Sequence, residues 1–377
     1  MKRKATLSLL ALLTALWATF SFPHYHYPAP DELHRKARYL EQQLSARSNQ
    51  PSDLTRLEQL NPEWGLFSLS YAAYAFTNMA QLDSTFRPEA AKYVQLAIEK
   101  ARTGRIPQSF QDIDAAPFTD SITSVLYLGH LNLMLGCHRL LNPVSPYRTL
   151  HDSLSASLHR RLAAVPGHCL ESYDGGTWVP DNTVALASLH LHSELTGSPY
   201  RAFCQQWFSY ARQHLCDPAT GLLLSKPANR HQAAEEPRGS HLGWSIAFLY
   251  RFAPTFAAEQ YQLYQQHCST NFGVLRLYRE RAGDYTTDIG DVDSGPLVLG
   301  FSIPANAFAF SNAVAMRDFR NAQRLRRVIS IGGREIEADD ALHYGVRFVD
   351  LPVSPMAEAL VLHAETMTPW RKSSVIQ

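Results

Sequence analysis

Apolar residues recur at three- and four-residue spacing in twelve separate stretches of this chain. That rhythm constrains the fold more than any other feature, because it is the signature of helices that each bury a face. The stretches are 31–48, 65–82, 88–102, 119–140, 146–164, 180–196, 199–215, 240–252, 255–268, 303–317, 318–328 and 354–365. In the second, Leu66, Leu69, Ala73 and Phe76 share one face while Tyr71 and Tyr74 share another. Start signals agree: Pro62 with Glu63 and Pro88 with Glu89 open two of the stretches, and Asp31, Asp120 and Asp181 stand near other starts. Gly104, Gly136, Gly197 and Gly221 fall near ends or in connections. Twelve helices make six helical hairpins, and the pattern predicts an all-α (α/α)6 toroid, with an inner ring of six helices around a cavity that opens at one end. No repeat of fixed period is visible, which weighs against an ordinary solenoid.

Two stretches break the beat. Residues 272–293 include a run at 273–279 with strand-like alternation, and 327–344 read as a β-hairpin turning on Gly332 and Gly333. No linker interrupts 31–365, so one catalytic-type domain is expected over 31–377, after a Pro/His/Tyr-rich linker at 23–30 and a leader at 1–22. The leader has Lys2, Arg3 and Lys4 ahead of an uncharged run of 18 residues, the form of an export signal and the lower length limit of a spanning helix. A small-x-small cleavage site is missing, which favours an uncleaved signal anchor over a cleaved peptide. Positive charge before the run puts the body in the periplasm or extracellular space, secreted if the signal is cut. It is the one run able to enter a bilayer, so a polytopic membrane protein is excluded. With 35 Lys+Arg against 34 Asp+Glu, a nucleic-acid partner bound through bulk charge is excluded too. Five scattered cysteines without a Cys-x-x-Cys pair read as small buried side chains.

The strongest chemical signal is the acidic loop Asp288, Ile289, Gly290, Asp291, Val292, Asp293, Ser294, Gly295, Pro296. Carboxyls this close repel, so one keeps its proton while a neighbour stays ionised, the pair of states acid–base catalysis needs. The same acids can instead cap helices and bond loop amides. A calcium loop would need a later Glu and a mid-loop Gly that this spacing lacks. A second signal runs from Tyr173 through Gly175, Gly176 and Trp178 to Pro180, Asp181 and Asn182, where Asp181 is either a first-turn helix acid or a cavity acid and Trp178 an apolar platform. A third is Arg238 ahead of Ser240, His241 and Trp244, at a helix start that could hold a carboxylate or hydroxyl-rich ligand, or simply pair with the acidic loop. Tyr71, Tyr74 and Asn78 on one helix and Tyr127 with His130 on another could line a polar cavity or be packing groups. His190 and His192, two apart, do not face together, and the arginines at 317, 320, 324, 326 and 327 read as a solvated face. Nucleotide-binding glycine loops, a Gly-x-Ser-x-Gly elbow and a His-Glu-x-x-His helix are absent, so cofactor-free acid–base work without a metal is expected.

Taken in order, the segments 71–75, 129–136, Pro180 to Ala187, Pro237 to Ser240 and Asp291 to Pro296 resemble the linalool dehydratase-isomerase-like domain family over about residues 60–320. The resemblance implies an (α/α)6 barrel shared with many glycoside hydrolases and polysaccharide lyases, an exported and oligomeric protein, and a cofactor-free cavity using Asp, Tyr, His and Cys. Two cysteines, Cys137 and Cys169, lie near the relevant stretches. The expected function is attack on a C–O bond of a carbohydrate or small alcohol, with Asp181 and Asp293 as working carboxyls, Asp291 tuning them, and Tyr71, Tyr74, His130, Trp178, Arg238, His241 and Trp244 shaping the cavity. The expected partners are a small-molecule or oligosaccharide substrate, a membrane through the N-terminal helix, and copies of the chain itself. Two alternatives are linalool-type dehydration or isomerisation, and a non-catalytic envelope binding protein on the same fold.

Overall fold

The structure, a computed structural model, describes residues 10–14, 26–46, 52–110, 122–229, 232–283, 289–347 and 351–370. Its helices in chain order are α1 (Pro30–Ser45), α2 (Asp53–Leu60), α3 (Pro62–Leu82), α4 (Arg87–Ala101), the single turn α5 (Arg105–Gln108), α6 (Val125–Leu141), α7 (Arg148–Ala164), α8 (Val179–Thr196), α9 (Tyr200–His214), α10 (Gly239–Phe252), α11 (Pro254–Cys268), α12 (Ile303–Ala315), α13 (Phe319–Gly332) and α14 (Pro355–Glu365). Two antiparallel hairpins interrupt them: β1 (Ser269–Asn271) with β2 (Arg276–Tyr278), and β3 (Gly333–Ala338) with β4 (Ala341–Val346).

Six helices close a ring: α3 packs on α6, α6 on α8, α8 on α10, α10 on α12, α12 on α14, and α14 back on α3. A helix in that ring meets a neighbour on each side, the outer layer behind it and the central space in front, so it must be apolar all round. The residues obey. In α3 every residue from Gly65 through Ala80 is buried, and in α6 every residue from Val125 through His138. The outer helices α1, α4, α7, α9, α11 and α13 carry one apolar stripe each; α1 buries Lys36, Ala37, Tyr39, Leu40 and Leu44. This is the (α/α)6 toroid that the helical rhythm predicts. Its first and last hairpins are tied by buried charges, with Lys36 Nζ 2.8 Å from Glu365 Oε2 and Arg326 Nη1 2.8 Å from Glu365 Oε1.

The inner helices all begin at the same end of the ring, and α3, α8, α12 and α14 begin with Pro in the first turn, where its missing N–H leaves no intrahelical bond unmade. The axis below is filled. Tyr71 meets Tyr74 and His363 edge-on with centroids 5.7 and 5.3 Å apart, and Trp370 lies 6.0 Å from Tyr74. The guanidinium of Arg251 stacks 3.8 Å above Trp370.

Two expectations need correction. The hairpin does not turn on Gly332 and Gly333: Ala322, Leu325 and Ile329 face the core at helical spacing, so α13 runs through Gly332. The turn falls at Asp339 and Asp340, whose φ values of 51° and 59° are those of a primed hairpin turn. The strand in 273–279 is confined to Arg276–Tyr278. The short helices α2 and α5 were not expected from the apolar pattern, since each is too brief to display a period. Of the leader, residues 10–14 are helical and the rest of 1–22 lies outside the described residues. Among the described residues no helix is long and apolar enough to cross a membrane. All five cysteines are free thiols, with Cys137, Cys204 and Cys268 buried.

Candidate active site

The inner-helix N-termini surround a cavity of about 360 Å³. Each inner helix gives it side chains from its first turns: Glu63 and Trp64 from α3, Leu126 from α6, Asp181 from α8, Ser240 and His241 from α10, Pro304 from α12, Met356 from α14. Six helix N-termini therefore point at one space, and their partial positive charges favour ionised carboxylates there. Tyr173, Trp178, Val292 and Asp293 reach in from the loops, and Tyr71, Phe67, Trp244 and Phe308 complete the aromatic lower wall.

Asp181, buried at 6% exposure, is the acid of this cavity that keeps its proton. Burial, followed by the charges of Glu63 and Asp293, raises its pKa to about 8. Asp293 is the opposite case. Burial acts to raise it, but a hydrogen bond to His241 and the charges of His241 and Arg238 hold it below the usual carboxylate value. His241 Nε2 and Arg238 Nη1 each lie 3.5 Å from Asp293 Oδ2. Glu63 is a third cavity acid: burial raises it and the Asp293 charge adds to this, while the Tyr173 hydroxyl, which donates to its carboxylate, partly offsets both. Three polar atoms buried here have no protein partner: Tyr71 Oη, Trp244 Nε1 and His241 Nδ1. Buried polar atoms without partners are costly, so they are groups to which a ligand's hydroxyls can bond.

Tight turns bring these groups in. A Cβ on Gly176 would meet the Trp178 ring at 2.2 Å, so only glycine lets the indole fold back over its own turn. Lys226 Nζ lies over that ring, 4.4 Å from its centre. A Cβ on Gly239 would lie 2.0 Å from the Arg279 carbonyl oxygen, so glycine is needed where α10 starts against the 279–280 segment. That contact carries the loop anchor. Arg238, 3% exposed, donates from Nε to Glu280 at 2.7 Å and from Nη2 to Asp291 at 2.6 Å. Glu280 also accepts from Ser240 N at 3.1 Å and Ser240 Oγ at 2.7 Å.

Of the residues expected to act in or shape the cavity, Asp181, Asp293, Tyr71, Trp178, His241 and Trp244 meet there. Four do not line it. Asp291 is a loop anchor: its Oδ1 accepts from Arg238, from Asp293 N at 3.1 Å and from Ser294 N at 3.0 Å, and these partners overcome burial to hold it well below the carboxylate range. Arg238 spends its guanidinium on that anchor. Tyr74 lies one turn deeper than Tyr71, where its hydroxyl sits 3.0 Å from His130 Nδ1 in the closed floor. His130 is wholly buried there and pushed down to about 3 by burial. Asp288 lies outside the described residues. Sequence reasoning assigned no site role to Glu63 or Glu280, and placed Tyr173 in its second motif without one. A signal existed for Glu63, since Pro62 with Glu63 opens an all-apolar helix just as Pro180 with Asp181 does.

Fold and site together define an (α/α)6 toroid with a carboxyl-lined cavity at its inner-helix N-termini. No protein-family model matches the chain. Among solved structures it is similar to a possible member of the GH105 family from Salmonella enterica, at TM-score 0.57 and 15% identity over 90% of this chain and 94% of that one. An unsaturated glucuronyl hydrolase specific for heparin matches at TM-score 0.55 and 12% identity, covering 89% and 96%. An inactive variant of the α-1,6-mannanase GH76A of Salegentibacter, in complex with α-1,6-mannotetrose, matches at TM-score 0.52 and 9% identity, covering 90% and 99%. At such identities these likenesses concern the fold alone, the (α/α)6 toroid.

Proposed function

We propose that the chain is an acid–base enzyme that breaks or rearranges a C–O bond, with Asp181 as the acid and Asp293 as the base. The observation that carries this is a single cavity holding one carboxyl raised to about 8 and another held below its usual value. Asp181 donates its proton to the oxygen of the bond that breaks. Asp293, ionised beside His241 and Arg238, then takes a proton from carbon in an elimination, or activates water or attacks in a hydrolysis. The partnerless Tyr71, Trp244 and His241 atoms supply hydrogen bonds to substrate oxygens.

A carbohydrate substrate is favoured by the glycosidase and lyase enzymes that share the fold and by the indole platforms of Trp178 and Trp244. One observation favours the second reading, dehydration or isomerisation of a small alcohol of the linalool type: Leu57, Phe67, Leu126, Phe308, Met356 and Leu360 make much of the wall apolar. Lys2, Arg3 and Lys4 before the apolar run support an anchored or exported body acting outside the cytoplasm. The test is a screen of purified protein against oligosaccharides, unsaturated uronides and small terpene alcohols with mass detection. Turnover that vanishes in the Asp181→Asn, Asp293→Asn double variant is expected. Full turnover in that variant refutes the assignment, and the class of compound consumed decides between the readings.

A further inference from the structure

A second cluster of ionisable groups lies at the far end of α8. His192 is eleven residues beyond Asp181, roughly 16 Å along the helix axis at 1.5 Å per residue. Across from it on α7 stand His151 and Asp152. His151 is fully buried, and neither of its ring nitrogens has a hydrogen-bond partner. An imidazole always carries at least one donor, so burial without a partner leaves a strong polar group unanswered. The His151 and His192 rings meet edge to face with centroids 4.7 Å apart. His192 Nε2 lies 2.8 Å from Asp152 Oδ1, and its Nδ1 lies 3.2 Å from Thr196 Oγ1. One ligand atom from each of His151, Asp152 and His192 lies within 4.8 Å of the other two.

We propose that His151, Asp152 and His192 form a binding site for a divalent transition cation of the zinc class, pinning outer α7 to inner α8. Two imidazoles and one carboxylate are the donor set such ions take, with a water in the fourth position. Asp152, with 51% of its side chain exposed, gives the ion and that water an entry from solvent. Zinc bonds of about 2.0–2.2 Å draw tetrahedral ligand atoms to roughly 3.3–3.5 Å of one another, a small contraction of the present cluster. Arg139 and His192 both bond Oδ1 of Asp152, which leaves Oδ2 for the ion. Thr196 Oγ1, 3.2 Å from His192 Nδ1, can accept a proton there and so leave Nε2 to the ion. The sequence hides this site because its ligands come from two helices and show no metal spacing along either.

The experiment uses untagged full-length protein stripped with a chelator, titrated with Zn²⁺ by calorimetry, with Co²⁺ absorption as the spectroscopic check. One saturable equivalent per chain is expected, with the visible bands of tetrahedral cobalt and a Tm raised by Zn²⁺. Asp152→Asn keeps the shape and the Arg139 contact, so it should fold, yet it should weaken binding by at least roughly 10–100-fold. His192→Gln should abolish the cobalt bands. Absence of saturable uptake by the unaltered protein, or unchanged affinity in Asp152→Asn, overturns the site. Neither readout depends on the cavity chemistry, so its failure leaves the enzymatic reading standing.

Discussion

Replacing Asp181 by Asn should make the protein more stable as pH rises, and the structure sets how much. The carboxyl has its proton up to about pH 8 in the folded chain and loses it near 3.8 in the unfolded one. Between those values the unfolded chain binds fewer protons, so stability falls with pH across the window and is flat on either side. At 1.36 kcal/mol for each tenfold change in proton affinity, the full span is on the order of 5 kcal/mol. Asn is neutral throughout and nearly isosteric, so it escapes that loss. The difference in unfolding free energy, Asp181→Asn minus unaltered, should climb by up to about 1.4 kcal/mol per pH unit between pH 4 and pH 8. Glu358, buried and also raised to about 8, contributes the same slope to both proteins and cancels in the difference. Urea denaturation at half-unit pH steps measures it. A difference that stays flat from pH 4 to 8 would refute the idea that Asp181 is kept neutral by the fold, and with it the assignment of the acid. Turnover should move the other way, with Asp181→Asn losing roughly 10²–10⁴-fold.

Asp293→Asn removes a charge that raises Asp181, so in any residual turnover the alkaline limb of the pH–rate profile should move to lower pH; a limb that stays put would separate the two carboxyls. Arg238→Met strands buried Glu280 and should cost about 3–5 kcal/mol in urea denaturation, whereas Asp291→Asn, half exposed, should cost far less. Equal costs would show that the anchor is not centred on Glu280. Tyr173→Phe deletes the hydrogen bond that lowers Glu63, so the Glu63 carboxyl should titrate at higher pH by carbon-detected NMR; an unmoved titration would mean that the phenol does not reach the acid.

The helices were legible because their period is written in every turn: the stretch 303–317 is observed as Ile303–Ala315 and 146–164 as Arg148–Ala164. Depth along the ring was not. Tyr71 and Tyr74 share a face, but only contacts from other helices decide that one borders the cavity and the other its floor. Glu280 was illegible for the same reason, since its partner is 42 residues away in the chain. The acids posed a sharper problem, because a first-turn or loop carboxylate reads equally as a structural ligand and as a catalytic group. The structure divides the two roles between neighbouring residues. Asn61, not Glu63, caps α3, its Oδ1 accepting from Glu63 N at 2.9 Å, so the Glu63 side chain is released to Tyr173. Asp291 takes the amides of Asp293 and Ser294, so the Asp293 carboxylate is released to His241 and the cavity. In both cases a residue two positions earlier meets the backbone's demand, and that leaves the Glu63 and Asp293 carboxylates free for side-chain partners. Asp291→Ala should therefore lower turnover about as far as Asp293→Asn does, because the freed Ser294 amide recaptures the Asp293 carboxylate; unchanged turnover in Asp291→Ala would refute this.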